Sequence, residues 1–234
     1  MIAREGLILI LVGVALTAVL ILLAARFDQM WVAALAAIVA VLTVFTIFFF
    51  RDPPRSVDAF PGALISPADG KILAIERVEE TAFIRGPTEK ISIFLSVLDV
   101  HINRVPVDGR VEFVEYHEGR FLPAFKPRAS EDNQRAVIGL VTPDSQRVIV
   151  KQITGAIARR IVCHLEAGDT VSAGERFGMI RFGSRTELWV PAGSRIDVKA
   201  GDHVYGGKTI LGRLPQKSTD SATAGTEKRR DVQL

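Results

Sequence analysis

KILAIERV (Lys71–Val78) and, eleven residues on, EKISIFLSV (Glu89–Val97) set the fold class. Both are short runs rich in Ile, Val and Phe, and such runs, bounded by turn-forming residues, read as β-strands. The same reading extends to RVEFVEYH (Arg110–His117), AVIGLVT (Ala136–Thr142), RVIVKQIT (Arg147–Thr154), ARRIVCHL (Ala158–Leu165) and ELWVP (Glu187–Pro191). Gly, Pro, Asp and Asn separate them, so the rhythm is all-β. Only Ile153–Ile161 suggests a helical turn, and the stretch 63–214 is expected to form one mainly β catalytic domain, a barrel or sandwich of hairpins.

Upstream of that domain the composition changes. Leu7–Ala25 (LILILVGVALTAVLILLAA) carries no charge, and after Arg26, Phe27, Asp28 and Gln29 a second uncharged run occupies Met30–Phe50. A bilayer core of about 30 Å needs roughly 20 helical residues, so residues 1–50 predict a transmembrane helical hairpin with spans at 7–25 and 30–50. A cleaved signal peptide fits less well, because the second span follows at once without a small-residue cleavage site. Arg4, Arg51 and Arg55 flank the outer ends against Arg26 in the turn, which predicts both termini on the cytoplasmic side of the cell membrane. The proline-rich RDPPRSVDAFPG (residues 51–62) reads as a linker, and the polar stretch 215–234 as a disordered tail.

The chain has 234 residues, a net charge of +3 and 48% hydrophobic residues. With the anchor in place, anionic lipid is a better partner than nucleic acid for so mild a positive balance, and Arg51, Arg55 and Lys71 are candidate juxtamembrane cations. Cys163 is the single cysteine, which excludes an intramolecular disulfide and a cysteine-based zinc site. It reads as a structural strand residue, and its neighbour His164 points to the opposite face of the same strand.

AGDTVSAG (Ala167–Gly174) returns as AGDHVYGG (Ala200–Gly207), a shift of 33 residues. Each copy supplies a glycine able to take positive φ, an aspartate to accept backbone N–H groups and a valine to bury. The segments resemble the hammerhead turns of lipoyl and biotinyl carrier domains, without the exposed lysine tip that a carrier needs. Gly155 and Gly178 are expected to serve similar turns.

Three segments carry the chemistry: SPADG (Ser66–Gly70), DVHINRVP (Asp99–Pro106) and RFGSRTELWVP (Arg181–Pro191). A Gly-Ser turn is uninformative alone. Taken in order with RDPPR (Arg51–Arg55), the set resembles the phosphatidylserine decarboxylase family, in particular its short form with an Arg-Phe-Gly-Ser motif, over about 51–214. The resemblance implies a proenzyme that cuts itself between Gly183 and Ser184. Ser184 Oγ attacks the Gly183 carbonyl and the peptide becomes an ester. Loss of the Ser184 α-proton expels the Gly183 carboxylate, and the dehydroalanine left behind hydrolyses to a pyruvoyl group and ammonia.

The resemblance further implies a β chain of residues 1–183 that stays associated with an α chain of residues 184–234. The pyruvoyl group, made from Ser184, would serve as the cofactor, with neither pyridoxal phosphate nor a metal. It would accept the amine of a membrane phospholipid's serine head group as a Schiff base, release carbon dioxide and yield phosphatidylethanolamine. Asp69, His101 and Ser184 are the implied triad, on the logic that a serine hydroxyl needs a base and the base an orienting group.

Some branches carry a His-x-x-His pair where this chain has His101 and Arg104. A guanidinium is no base, so Arg104 is a candidate for the substrate's phosphate or carboxylate. Asp99 is a candidate to orient His101, and His117 and His203 receive no role. Two rival classes are a membrane-anchored β adaptor, disfavoured by the lack of long coiled-coil helices, and a membrane-tethered serine hydrolase, which lacks a G-x-S-x-G elbow.

Overall fold

A computed structural model describes residues 1–56, 59–156, 160–181 and 183–215. The expected tail from 216 onward and the middle of the suggested helical turn at 153–161 lie outside the described residues. Helices α1 (Leu7–Phe27) and α2 (Met30–Phe49) are long and apolar enough to cross a bilayer. Helix α1 runs two residues beyond its uncharged stretch, through Arg26 and Phe27, and ends on Asp28 in the left-handed region at φ 49°. Gly13 packs against Thr43, a small-residue contact that brings the helices close. At the base of the hairpin the Ala3 N–H donates to Phe50 O, 2.8 Å.

The rest is mainly β. In chain order come β1 (Ala63–Ile65), β2 (Gly70–Glu80), β3 (Gly86–Leu95), β4 (Ile102–Arg104), β5 (Gly109–His117), a one-turn helix α3 (Ala129–Asp132), β6 (Arg135–Val141) and β7 (Arg147–Ile153). There follow β8 (Ile161–Cys163), β9 (Thr170–Val171), β10 (Arg176–Ile180), β11 (Ser184–Pro191), β12 (Arg195–Ile196), β13 (His203–Val204) and β14 (Ile210–Arg213). An antiparallel sheet of order β13-β2-β3-β11-β7-β6-β5-β9 is accompanied by two small ones, β1-β14-β12 and β4-β10-β8. Ile72, Ile91, Ile93, Val111, Ile138, Val150 and Leu188 build the shared core.

This order is that of two interlocked halves. Strands β1, β2, β3 and β11 to β14 form half A, and β4 to β10 form half B. PADGKI (Pro67–Ile72) enters β2 as PVDGRV (Pro106–Val111) enters β5, 39 residues on. Both strands bulge at the same place, between Ile72 and Ala74 and between Val111 and Phe113. The two AGD segments fall on β9 and β13, at opposite edges of the large sheet. In each, the glycine N–H reaches across to the neighbouring strand, Gly168 to Val111 O of β5 and Gly201 to Ile72 O of β2. In each, the aspartate accepts a backbone N–H three residues back, and the valine is buried. The halves also clasp reciprocally: Ile65 N–H donates to Pro106 O, and Arg104 N–H to Pro67 O.

The expectation for Gly155 and Gly178 needs correction, since neither takes positive φ. Gly178 lies inside β10, where a side chain would collide with Val162 O of β8. Gly155 follows β7, and close approach to another backbone, described next, is its reason for being glycine.

Candidate active site

Ser184 is the first residue of β11, paired with Leu95 of β3, so it begins a central strand and lies past the turn where its motif alone would put it. Its side chain is fully buried, and among the described residues its Oγ has no hydrogen-bond partner. A buried hydroxyl left without a partner is costly, which singles the position out as a candidate for chemistry. Gly183 has φ 69°, where a side chain is strained, so the Gly-Ser order has a backbone cause. The Gly183 carbonyl oxygen lies against the Cα of Gly155, and a Cβ there would overlap it.

His101 directly precedes β4 and is fully buried. Its ring lies 4.3 Å, centre to centre, from that of Phe49, the last residue of α2. Nδ1 is 2.9 Å from Asp99 O, and Nε2 is 3.2 Å from the Gly183 amide N. A carbonyl only accepts and an amide N–H only donates, so the proton belongs on Nδ1 and the Nε2 lone pair faces the Gly183–Ser184 segment. Burial pushes the His101 pKa down to about 4, partly offset by its bond to Asp99 O and the charges of Asp99 and Asp69. The imidazole is therefore neutral, and able to accept a proton, at pH 7.

Asp69 sits in the turn between β1 and β2 and is buried. Its Oδ1 accepts the Gly206 N–H at 2.8 Å and pairs with Arg55 Nη1, while Oδ2 accepts Arg55 Nη2 at 2.8 Å. The carboxylate thus faces Arg55, and it influences His101 through its field. Asp99 orients His101 through its main-chain carbonyl, and its carboxylate accepts from Ser96 N–H and faces His203 Nε2 at 3.0 Å.

Arg104 donates to Gly174 O at 2.9 Å, to Asp52 Oδ1 at 3.2 Å and to Pro53 O at 3.4 Å. Arg176 pairs with the other oxygen of Asp52, which is fully buried. A substrate anion at Arg104 would have to compete with Asp52 for the guanidinium. The RDPPR segment, read as linker and juxtamembrane charge, delivers Asp52 and Arg55 into the domain. Arg51 stays at the helix end, its guanidinium 3.9 Å from the Phe48 ring centre and 2.5 Å from Leu98 O.

Beside Ser184, on the same strand face, Thr186 Oγ1 accepts from Asn103 Nδ2 at 3.0 Å, and Asn103 Oδ1 accepts from Gln152 Nε2 at 2.8 Å. This buried amide network and Asp52 were not identified from sequence, and Gly155 was read there only as a turn glycine. Cys163 is half-buried, and burial raises its thiol pKa, as befits a structural cysteine. His164 faces Glu5 and His117 faces Glu115. Among the described residues no cluster of His, Cys, Asp and Glu is arranged to hold a metal ion.

The family model for phosphatidylserine decarboxylase matches residues 42–212. A phosphatidylserine decarboxylase proenzyme of Symbiobacterium thermophilum is 48% identical over 183 residues, 78% of this chain and 85% of the relative. The proenzyme of Carboxydothermus hydrogenoformans is 52% identical over 169 residues, 72% and 79% of the two chains. That of Burkholderia cenocepacia, 42% identical over 215 residues, spans 92% of this chain and 97% of its own, so the likeness includes the apolar N-terminal region. With a strained glycine ahead of a buried, unpartnered serine and a neutral histidine at their junction, the chain belongs to the phosphatidylserine decarboxylase family.

Proposed function

We propose that this protein cleaves itself between Gly183 and Ser184 and then decarboxylates phosphatidylserine to phosphatidylethanolamine at the pyruvoyl group made from Ser184. The observation that carries the reading is the Nε2 lone pair of His101, 3.2 Å from Gly183 N, beside a buried Ser184 hydroxyl without a partner. His101 is the base that takes the Ser184 Oγ proton as the oxygen attacks the Gly183 carbonyl carbon. Gly155 leaves that carbonyl room. Asp69 acts as a positioning residue: its charge favours the imidazolium that forms, and its bonds to Arg55 and Gly206 hold the turn beside it.

The cleaved site supplies an electron-withdrawing ketone to a substrate amine, which makes loss of the carboxylate feasible. For turnover, His101 is again the group placed to move a proton: Nε2 takes the one released as the substrate's ammonium condenses with the ketone, and returns it to the carbon that has lost carbon dioxide. We place Arg104 in holding Asp52, with a contribution to binding the substrate's anion only through exchange of that partner. The α and β chains stay together because β11 is hydrogen-bonded between β3 and β7 of the other chain. The AGD segments are read as hammerhead-like hairpins, α1 and α2 as membrane spans, and the catalytic domain as cytoplasmic.

The test is carbon dioxide release from phosphatidylserine vesicles by the full chain and by Ser184→Ala. Activity only in the former is expected. Equal activity in both would remove Ser184 from the reaction.

A further inference from the structure

The segment RFLPAFKPR (Arg120–Arg128) has no part in the chemistry above, yet it lies over the cleavage site. Ala124 is buried and abuts Gly155, which in turn abuts the Gly183 carbonyl. Around this fixed point the loop turns outward. Phe125 is 59% exposed, and Arg120, Phe121, Lys126 and Arg128 are exposed with it. On the neighbouring turn between β3 and β4, Leu98 is 62% exposed and Val97 38%.

The 96–99 loop connects directly to the end of α2, and the 120–128 loop reaches it through the site, since Gly183, next to Gly155, donates its N–H to His101, whose ring lies on Phe49. Leu98 O accepts from Arg51, whose guanidinium covers Phe48 near the end of α2. The Phe125 ring lies 6.2 Å from that of Phe94, which pairs with Arg185, the residue after Ser184. A soluble surface has no reason to place apolar side chains and arginine or lysine together at the foot of a spanning helix. A bilayer interface does, because aromatic rings settle at head-group depth and cations meet lipid phosphates there.

We propose that the 96–99 and 120–128 loops form a second membrane contact, an interfacial rim around the Ser184 site that dips Leu98 and Phe125 into the lipid head-group layer. The occupant is an anionic phospholipid bilayer. The rim lets a diacyl substrate pass its head group to the site while its acyl chains stay in lipid. This rests on the reading of the protein as a phosphatidylserine decarboxylase.

The experiment compares the full-length wild type with Leu98→Asp, Phe125→Asp and the double variant on two substrates. One is phosphatidylserine in phosphatidylcholine vesicles, the other short-chain phosphatidylserine below its micellar concentration. The expected result is a KM for vesicle lipid raised at least fivefold in the double variant, with self-cleavage and short-chain turnover unchanged. Wild-type kinetics on both substrates, or an equal loss on both, would overturn the rim. A wild type inactive on both would instead remove the decarboxylase reading.

Should the charged variants fail to self-cleave, a bimane label on Phe125→Cys in a Cys163→Ser background gives a second measurement. Brominated lipids should quench it at least twofold more than the same label on Asp144→Cys, in the β6–β7 turn. That turn lies at the other end of β7, roughly 25 Å from Gly155 at about 3.3 Å per residue. Equal quenching at the two positions would contradict the proposal.

Discussion

The two halves of the β domain share a scaffold and differ in what hangs on it. Asp69 in half A and Asp108 in half B occupy the same turn, 39 residues apart, and each accepts a backbone N–H from the partner AGD segment, Gly206 and Ala173 respectively, at 2.8 Å. Asp108 is exposed. Asp69 is buried, pairs with Arg55 from the segment that follows α2, and its charge favours protonation of His101. Turn chemistry therefore explains an aspartate at both positions, and only the burial and the arginine set one of them apart.

The largest expected effect breaks this pair apart. Asp69→Asn should slow self-cleavage at least 100-fold, while Asp108→Asn should stay within twofold of wild type, both read as the fraction of cleaved chain over time on denaturing gels. Equal rates for the two would reduce Asp69 to a turn residue.

A second pair contrasts two glycines at matching places, Gly155 after β7 and Gly193 after β11. Gly193 has φ 89° and a Cβ there would meet Pro215 only at an ordinary contact distance of 3.8 Å, whereas a Cβ on Gly155 would overlap the Gly183 carbonyl oxygen. Gly155→Ala should cut processing at least 30-fold, because its Cβ pushes the Gly183 carbonyl out of place. Gly193→Ala should process normally and lose about 1 kcal/mol to backbone strain in urea unfolding. Rapid cleavage of Gly155→Ala would detach that residue from the site.

The third contrast lies in front of β4 and β1, where half B has His101 and half A has Gly62. With the His101 pKa near 4 against about 6.5 in an unfolded chain, its base form persists to low pH. The acid limb of the processing rate should fall near pH 4, and a limb near 6.5 would point to another base. Between those values the unfolded chain binds a proton that folded His101 refuses, so this group's contribution to stability declines as pH falls from 6.5 to 4.

The smallest effect concerns the shared turn alone. Asp108→Ala should cost under about 1 kcal/mol in urea unfolding, the worth of one exposed backbone hydrogen bond, with no change in processing.

Much of this was legible beforehand. Strands β2, β3, β5, β6 and β7 are long enough for apolar runs to show, and the motifs at Asp69, His101 and Ser184 carried the resemblance. Strands β1, β4 and β12 to β14 have two to four residues, too few to display a period. PADGKI and PVDGRV repeat visibly, but at a spacing of 39 where the AGD segments repeat at 33, because half B is inserted into half A between β3 and β11. The partners of Asp52 and Arg55 were hidden by long sequence separation, and Gly155 by a collision that exists only in three dimensions.

The central claim is that the junction between the last strand of half B and β11 is a self-cleaving Gly183–Ser184 bond whose serine becomes the reactive group. Intact-mass measurement of the purified, active protein tests it most directly. The account predicts a chain of residues 1–183 ending in Gly183 and a chain of residues 184–234 whose first residue is pyruvoyl. Active protein consisting of one full-length chain would contradict it.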